Sequence, residues 1–446
     1  MRVAFVLNCF PAVSETFILR QISGLLDLGH DVRIFAETRG HGPLHPEVER
    51  HDLLGRTHYL GLPDEVAVYE LPVFPIWGKT WSPESGTAES NLRRLVRTVP
   101  AFLQALFAHP RLAVGTLRWQ EYGYQAASLS ALGRLSSMAG HEKCDVIHAH
   151  FGPVGSSFRF LRELWQAPLV VSFHGYDFSR TRSGELPRYA KLFEASDAIT
   201  VHSDFAANRL VELGCPSSRL VHLPCGVDLD QFPYREHVLG EGEPIKLLTV
   251  GRLVEKKGVE FSVRALAALR DFPRAIRYDI VGDGPLGAPL RDLVATLGLE
   301  DRVIFHGAQN GEYVRRLLEQ AHVFALTCVT AGDGETEGTP VSLLEAQACG
   351  LPVVSSYHSG IPEIVLHGQS GLLSEERDVA GIAENLGFLL RNPELCARFG
   401  QEGRRHVQMH HDIGALNLRL AQLYERLATS FGVSRNQARG STAAAR

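Results

Sequence analysis

The chain has 446 residues, 45% of them hydrophobic and 21% charged, which suits two large globular domains better than one. Its 45 basic and 50 acidic side chains leave a formal net charge of -5, so nothing in the global electrostatics draws it to nucleic acid, and no nucleic-acid partner is expected. No stretch approaches the roughly 18 apolar residues of a membrane span, and the seven scattered cysteines form no C-x-x-C pair or zinc spacing, which points to a reducing cytoplasm.

The apolar run at residues 3–7 is too short for a signal-peptide core and reads as a buried first strand. After it comes NCFPAVSETFILRQ, residues 8–21, a loop at the strand's C-terminal edge leading into a helix, with Ser14 as cap and Glu15 in the first turn. Further short runs at 32–36, 146–149, 169–173, 198–202 and 220–223 alternate with helical patterns, the mark of strand-helix-strand units and a parallel sheet. Residues 64–140 interrupt this alternation. Apolar side chains between positions 92 and 107 are spaced there for one helix face, and residues 91–120 carry Arg93, Arg94, Arg97, Arg111, Arg118 and Trp119 without an acid. Such a stretch fits packing into the core with solvated arginines, and equally a peripheral contact with an anionic membrane leaflet.

A polar segment broken by Pro and Gly, 228–244, reads as a linker, and a second strand series follows at 246–250, 278–281, 303–305, 323–326 and 352–355. The expected domains are 1–235 and 236–410, with 411–446 a helix able to return to the N-terminal domain and a disordered tail from 436. Two such sheets would face each other across a cleft at their strand ends.

Three segments of the second half carry chemistry. GRLVEKKG, residues 251–258, follows that half's first strand, where Arg252 and Lys257 can neutralise a departing diphosphate; taken locally, it is also compatible with a solvated basic turn. EGTPVSLLEA, residues 337–346, places Thr339 as a helix cap, Glu337 at the entrance and Glu345 on the second turn, two carboxylates suited to vicinal diols. Macrodipole complementation is the plainer role for an acid near a helix start. SGIPEIV, residues 359–365, offers backbone N–H groups to phosphate at a strand-helix turn, with Gly360 allowing close approach. Two look-alikes fail on their position in the chain. Gly282 to Gly287 fit G-x-G-x-x-G but follow the second strand of their half, and Asp228-Leu229-Asp230 imitates a metal site within the linker, where no metal is assigned.

The run from Gly251 through EGTPVSLLEAQACGLPVVSS to SGIPEIVLHGQSGLL resembles the family-four retaining glycosyltransferases, whose hallmark is two glutamates separated by seven residues together with an Arg and a Lys in a GRL-x-x-x-KG segment. The resemblance implies an α/β protein of the GT-B fold, two Rossmann-like domains facing across a cleft. It implies a nucleotide-sugar-dependent hexosyltransferase with a UDP- or GDP-sugar donor, no cofactor, and a saccharide or lipid-linked saccharide acceptor. Glu337 would approach the donor sugar, Glu345 the ribose, Arg252 and Lys257 the diphosphate, and Gly360 and Ile361 the phosphate or sugar. Ser359 stands where the family often has glycine. The VGDGP turn at Gly282 resembles one lining the family's nucleotide pocket. SFHGYD, residues 172–177, resembles the segment whose histidine lies beside the reacting sugar, which is His174 here, although a lone strand-end histidine is often structural. The loop with Ser14 and Glu15 on the acceptor side is similar to that of bacterial exopolysaccharide transferases of the colanic acid type. Sugar phosphorylases, nucleotide-sugar epimerases and a non-catalytic nucleotide-sugar-binding protein are the competing readings.

Overall fold

Short runs of β-branched and aliphatic residues pair in parallel into two sheets. The computed structural model describes residues 1–12, 15–41, 44–60, 103–179, 189–237 and 242–444. In the first sheet β1 (Arg2–Phe10), β2 (Asp31–Arg39), β3 (Thr57–Tyr59), β4 (Val146–His150), β5 (Leu169–Ser172), β6 (Ala198–Val201) and β7 (Leu220–His222) lie in the order β3-β2-β1-β4-β5-β6-β7. The second contains β8 (Ile245–Val250), β9 (Ile276–Val281), β10 (Val303–Gly307), β11 (Val323–Leu326), β12 (Val353–Ser356) and β13 (Gly371–Ser374), in the order β10-β9-β8-β11-β12-β13. Both are doubly wound Rossmann-like sheets, so each reverses direction beside its first strand and opens a crevice at the C-terminal strand ends.

The central strands are buried on both faces. Val3 to Leu7 of β1 and Leu169 to Val171 of β5 are almost wholly shielded, as are Val323 to Leu326 of β11. Strands β3 and β13 escape a reading by sequence pattern because THY and GLLS carry no run of β-branched residues.

The helix Ile413–Ala444 leaves the second domain and packs on the first. Leu416, Leu420, Leu423 and Tyr424 join the N-terminal core, and Asn417 Nδ2 donates to the carbonyl of Arg20 at 3.1 Å. It runs through most of the segment expected as a disordered tail. Of the insertion, residues 103–140 are described and are mainly short helices. Ala105 is buried and Leu106 packs against the core, whereas Leu103 and Phe107 face solvent, so these positions do not form one buried stripe. Arg93, Arg94 and Arg97 lie outside the described residues, as does Ser14.

Candidate active site

On the second sheet β8 runs into Gly251 and Arg252 and then a 3-10 turn, Glu255–Lys257. Lys257 Nζ lies 2.7 Å from Glu337 Oε2, and Lys256 Nζ lies 2.8 Å from Glu335 and 3.9 Å from Glu337. Burial opposes charge on both members of the Lys257–Glu337 pair, but their attraction prevails: Lys257 is raised above the ordinary lysine value, and Glu337 is lowered to about 2. Arg252 is exposed and, among the described residues, makes no ion pair, yet its charge acts on Lys257 and Glu337. Two carboxylates, Glu335 and Glu337, beside the three cations Arg252, Lys256 and Lys257 leave a net positive place suited to a diphosphate.

The loop bearing Glu337 is held through its backbone. Its N–H donates to His358 Nε2 at 2.9 Å, which leaves His358 Nδ1 to donate to Glu376 Oε1 at 2.5 Å. Burial pushes the Glu376 carboxyl up, but the bonds from His358 and Thr330 outweigh it and hold the value below the ordinary glutamate range. Thr339 does not cap the following helix, Val341–Ala348, whose cap position is Pro340. Instead Thr336 Oγ1 and Thr339 Oγ1 are buried without hydrogen-bond partners among the described residues.

Ser359 has φ 47°, in the left-handed region where the family's glycine is at ease. The helix after it, Ile361–Ile364, is a single turn, and the Ile361 N–H already donates to His358 O at 2.9 Å, so it is not a free phosphate donor. Gly282 has a packing role. At φ 139° its Cα faces the Gly251 carbonyl, which a Cβ would approach to 1.8 Å, so the strand-end loops of β8 and β9 touch backbone to backbone.

On the first sheet, side-chain alternation puts His148 and His150 of β4, Ser172 of β5 with His174 beyond it, and Thr200 of β6 with His202 beyond it on one face. The upper row is a wire. His202 Nδ1 must donate to the Leu223 carbonyl (2.9 Å), so its Nε2 accepts from His174 Nδ1 (2.9 Å), and His174 Nε2 accepts from His150 Nδ1 (3.2 Å). Below it, His148 joins Tyr424 (2.5 Å) and Ser172 (2.7 Å). Burial holds all four imidazoles below the usual histidine value, with His148 near 3, which favours the neutral forms this polarity requires. Both ring nitrogens of His174 are therefore engaged, and a sugar hydroxyl reaching Nε2 would have to displace the longer bond, to His150.

The two halves meet. A Cβ on Gly175, next to His174, would lie 2.7 Å from the N atom of Gly338, next to Glu337. Glu363 accepts from the N–H groups of Asp204 (2.8 Å) and Phe205 (3.2 Å), so this acid of SGIPEIV caps a helix of the other domain. Glu15 occupies the cap position of the helix Thr16–Asp27 rather than its first turn; burial raises it to about 7 against the pull of Arg252 across the cleft. Glu345 is joined to Arg20 at 2.7 Å.

The structure thus brings Arg252, Lys257, Glu337, His174, Gly360 and Glu15 to the facing edges. Lys256, His358, Glu376, His150, His202 and Arg20 are not singled out by the sequence. The histidines had a signal, because HAH, SFH and TVH end three successive strands with a polar residue two before the histidine.

Two family models match the chain, glycosyltransferase family 4 over residues 100–231 and glycosyl transferases group 1 over residues 231–406. A Salmonella typhimurium protein, the putative colanic acid biosynthesis glycosyltransferase WcaL, is 33% identical over 95% of this chain and 100% of its own length. The amylovoran biosynthesis glycosyltransferase AmsK of Erwinia amylovora is 32% identical over 96% of this chain and 100% of its own. Among solved structures, Anabaena Alr3699/HepE in complex with UDP and glucose superposes with a TM-score of 0.66 at 17% identity, covering 96% of this chain and 100% of that one.

Proposed function

Because the chain belongs to the family 4 glycosyltransferases and is a hexosyltransferase of the GT-B fold, we propose that it moves a hexosyl unit from a UDP- or GDP-sugar to a saccharide acceptor in bacterial exopolysaccharide assembly. The observation that carries this reading is the buried Lys257–Glu337 pair beneath exposed Arg252, at the point where the two sheets' loops touch. Arg252 and Lys257 stabilise the diphosphate as it leaves, in the role a metal ion plays elsewhere. Glu337, held anionic, faces the sugar that develops positive charge, and the contact between Gly175 and Gly338 keeps water from it. No side chain is assigned as nucleophile. Retention follows from attack on the face the diphosphate leaves, its oxygen taking the acceptor proton as the new glycosidic bond forms.

Mass spectrometry of the products from a panel of UDP- and GDP-sugars with saccharide acceptors tests this. Transfer from one donor supports it. Turnover that requires inorganic phosphate indicates a phosphorylase, isomerised donor without acceptor an epimerase, and binding without turnover a non-catalytic protein.

The acceptor is proposed to be lipid-linked, reached from the cytoplasmic leaflet. Among the described residues no helix is long and apolar enough to cross a membrane. Exposed Leu103, Phe107, Val114 and Trp119 lie in the same short stretch as Arg111 and Arg118, a combination suited to an anionic surface. Phe107→Glu with Trp119→Glu should abolish co-sedimentation with anionic liposomes at low salt. If the unaltered protein does not sediment with them, the acceptor is a soluble saccharide.

A further inference from the structure

Glu345 and Arg20 stand 325 positions apart in sequence, on helices of different domains, and meet with Arg20 Nη2 at 2.7 Å from Glu345 Oε1. Both side chains are nearly buried, at 11% and 14% exposure, so this is not a loose surface pair. Arg20 is tethered on other sides as well. Its Nη1 lies 3.4 Å from the carbonyl of Gly226, and its guanidinium lies over the Phe232 ring at 5.6 Å, both in the segment that joins the domains. The carbonyl of Arg20 is itself fixed by Asn417 of the returning C-terminal helix.

A carboxylate has about four acceptor positions. Arg20 takes one, on Oε1, and supplies the countercharge that a nearly buried anion requires. We propose that Arg20 is a positioning residue for Glu345, holding one carboxylate oxygen so that the other receives the ribose hydroxyls of the donor nucleotide. This rests on the assignment of Glu345 to the ribose. The N-terminal domain thereby completes the nucleotide site of the C-terminal one, and its contribution depends on the ribose diol rather than on the base or the phosphates.

Calorimetry with UDP and GDP, followed by the 2',3'-dideoxy form of whichever binds, tests this in the full chain. Arg20→Ala should weaken the parent nucleotide about tenfold, toward the lower end of what a hydrogen bond to a charged group contributes. It should change the affinity of the dideoxy form less than twofold. Arg20→Lys keeps the charge but cannot bridge Gly226 and Glu345 together, and should show an intermediate loss; it carries the test if Arg20→Ala fails to fold. Equal losses for parent and dideoxy nucleotide, or no loss, would overturn the proposal. Glu345→Ala separates the two failures. If it weakens the parent nucleotide while both Arg20 variants spare it, positioning by Arg20 is wrong and the ribose assignment stands. If Glu345→Ala also spares it, or the unaltered protein binds neither nucleotide, the assignment fails and the proposal falls with it.

Discussion

The Lys257–Glu337 pair makes a quantitative prediction about stability apart from catalysis. The Glu337 carboxyl sits near 2 against an ordinary 4.5, and at about 1.4 kcal/mol per unit of pKa the surrounding cations favour its carboxylate by about 3 kcal/mol, net of burial. Lys257, at 2.7 Å, is the largest attractive contributor. Lys257→Met leaves Glu337 with Lys256 at 3.9 Å and the more distant Arg252. It should destabilise the protein by about 2–3 kcal/mol at pH 7, at or just below the lower bound for a buried pair broken on one side, because Lys256 still faces the carboxylate. Because the folded carboxyl is depressed, the stabilisation is fully present above about pH 4.5 and is lost as pH falls from there toward 2. The deficit of the variant should shrink over that window. Lys257→Met combined with Glu337→Gln strands no charge and should lose less than the sum of the single changes, with a coupling of about 1.5 kcal/mol or more. Transfer should stay more than tenfold down in the double variant, since the diphosphate contact remains missing. Urea unfolding followed by circular dichroism measures the coupling. Additive losses would refute the claim that Lys257 is the main support of the Glu337 carboxylate.

His174→Ala should reduce transfer strongly while changing nucleoside diphosphate affinity less than twofold, because its proposed contact is with the transferred sugar and not with the nucleotide; retained transfer would make the wire purely structural. Glu15 is raised by burial to about 7, so the folded state holds its proton more tightly than the unfolded chain and loses stability as pH rises from about 4.5 through 7. Glu15→Gln should therefore match the unaltered protein in unfolding free energy near pH 4 and exceed it above pH 7, by about 1–2 kcal/mol after discounting for partial solvent contact; a constant difference would show that Glu15 does not titrate in this range. Ser359→Gly relieves a left-handed φ of 47° and should stabilise the protein by about 0.5–1 kcal/mol in thermal melts. A loss would mean that the 3.3 Å contact of Ser359 Oγ with His358 outweighs the backbone strain.

Local chemistry was legible in the sequence wherever a strand end and its loop are contiguous. GRLVEKKG, the glutamate pair and SFHGYD could be placed because a parallel strand presents its C-terminal loop to the cleft, so position follows from order along the chain. What stayed hidden depends on side chains meeting across long separations. Glu345 and Arg20 are one case, and Glu363 reaching Asp204 is another, since an acid near a helix start reads equally as complementing its own helix. Lys257 was named from GRL-x-x-x-KG, but its neighbour Lys256 gave no signal until the 3-10 turn set it against Glu335. The capping assignment of Thr339 failed because Pro340 took the cap position, leaving the hydroxyl inside the loop.

One turn of the helix Thr16–Asp27 joins features that were separate in the sequence. Phe17 packs on His174 with ring centroids 4.7 Å apart, Arg20 holds Glu345, and the Arg20 carbonyl receives Asn417. A shift of this helix relative to the second domain would therefore disturb the histidine wire, the Glu345 carboxylate and the docking of the C-terminal helix together. Packed side chains rarely accommodate such shifts gradually. The loop bearing Glu15 and the Glu345 carboxylate are thus linked through a rigid element rather than through solvent. The segment from Asn8 to Gln21, distinguished in the sequence by Ser14 and Glu15 at its middle, contributes through its second half the contacts by which the first domain reaches Glu345.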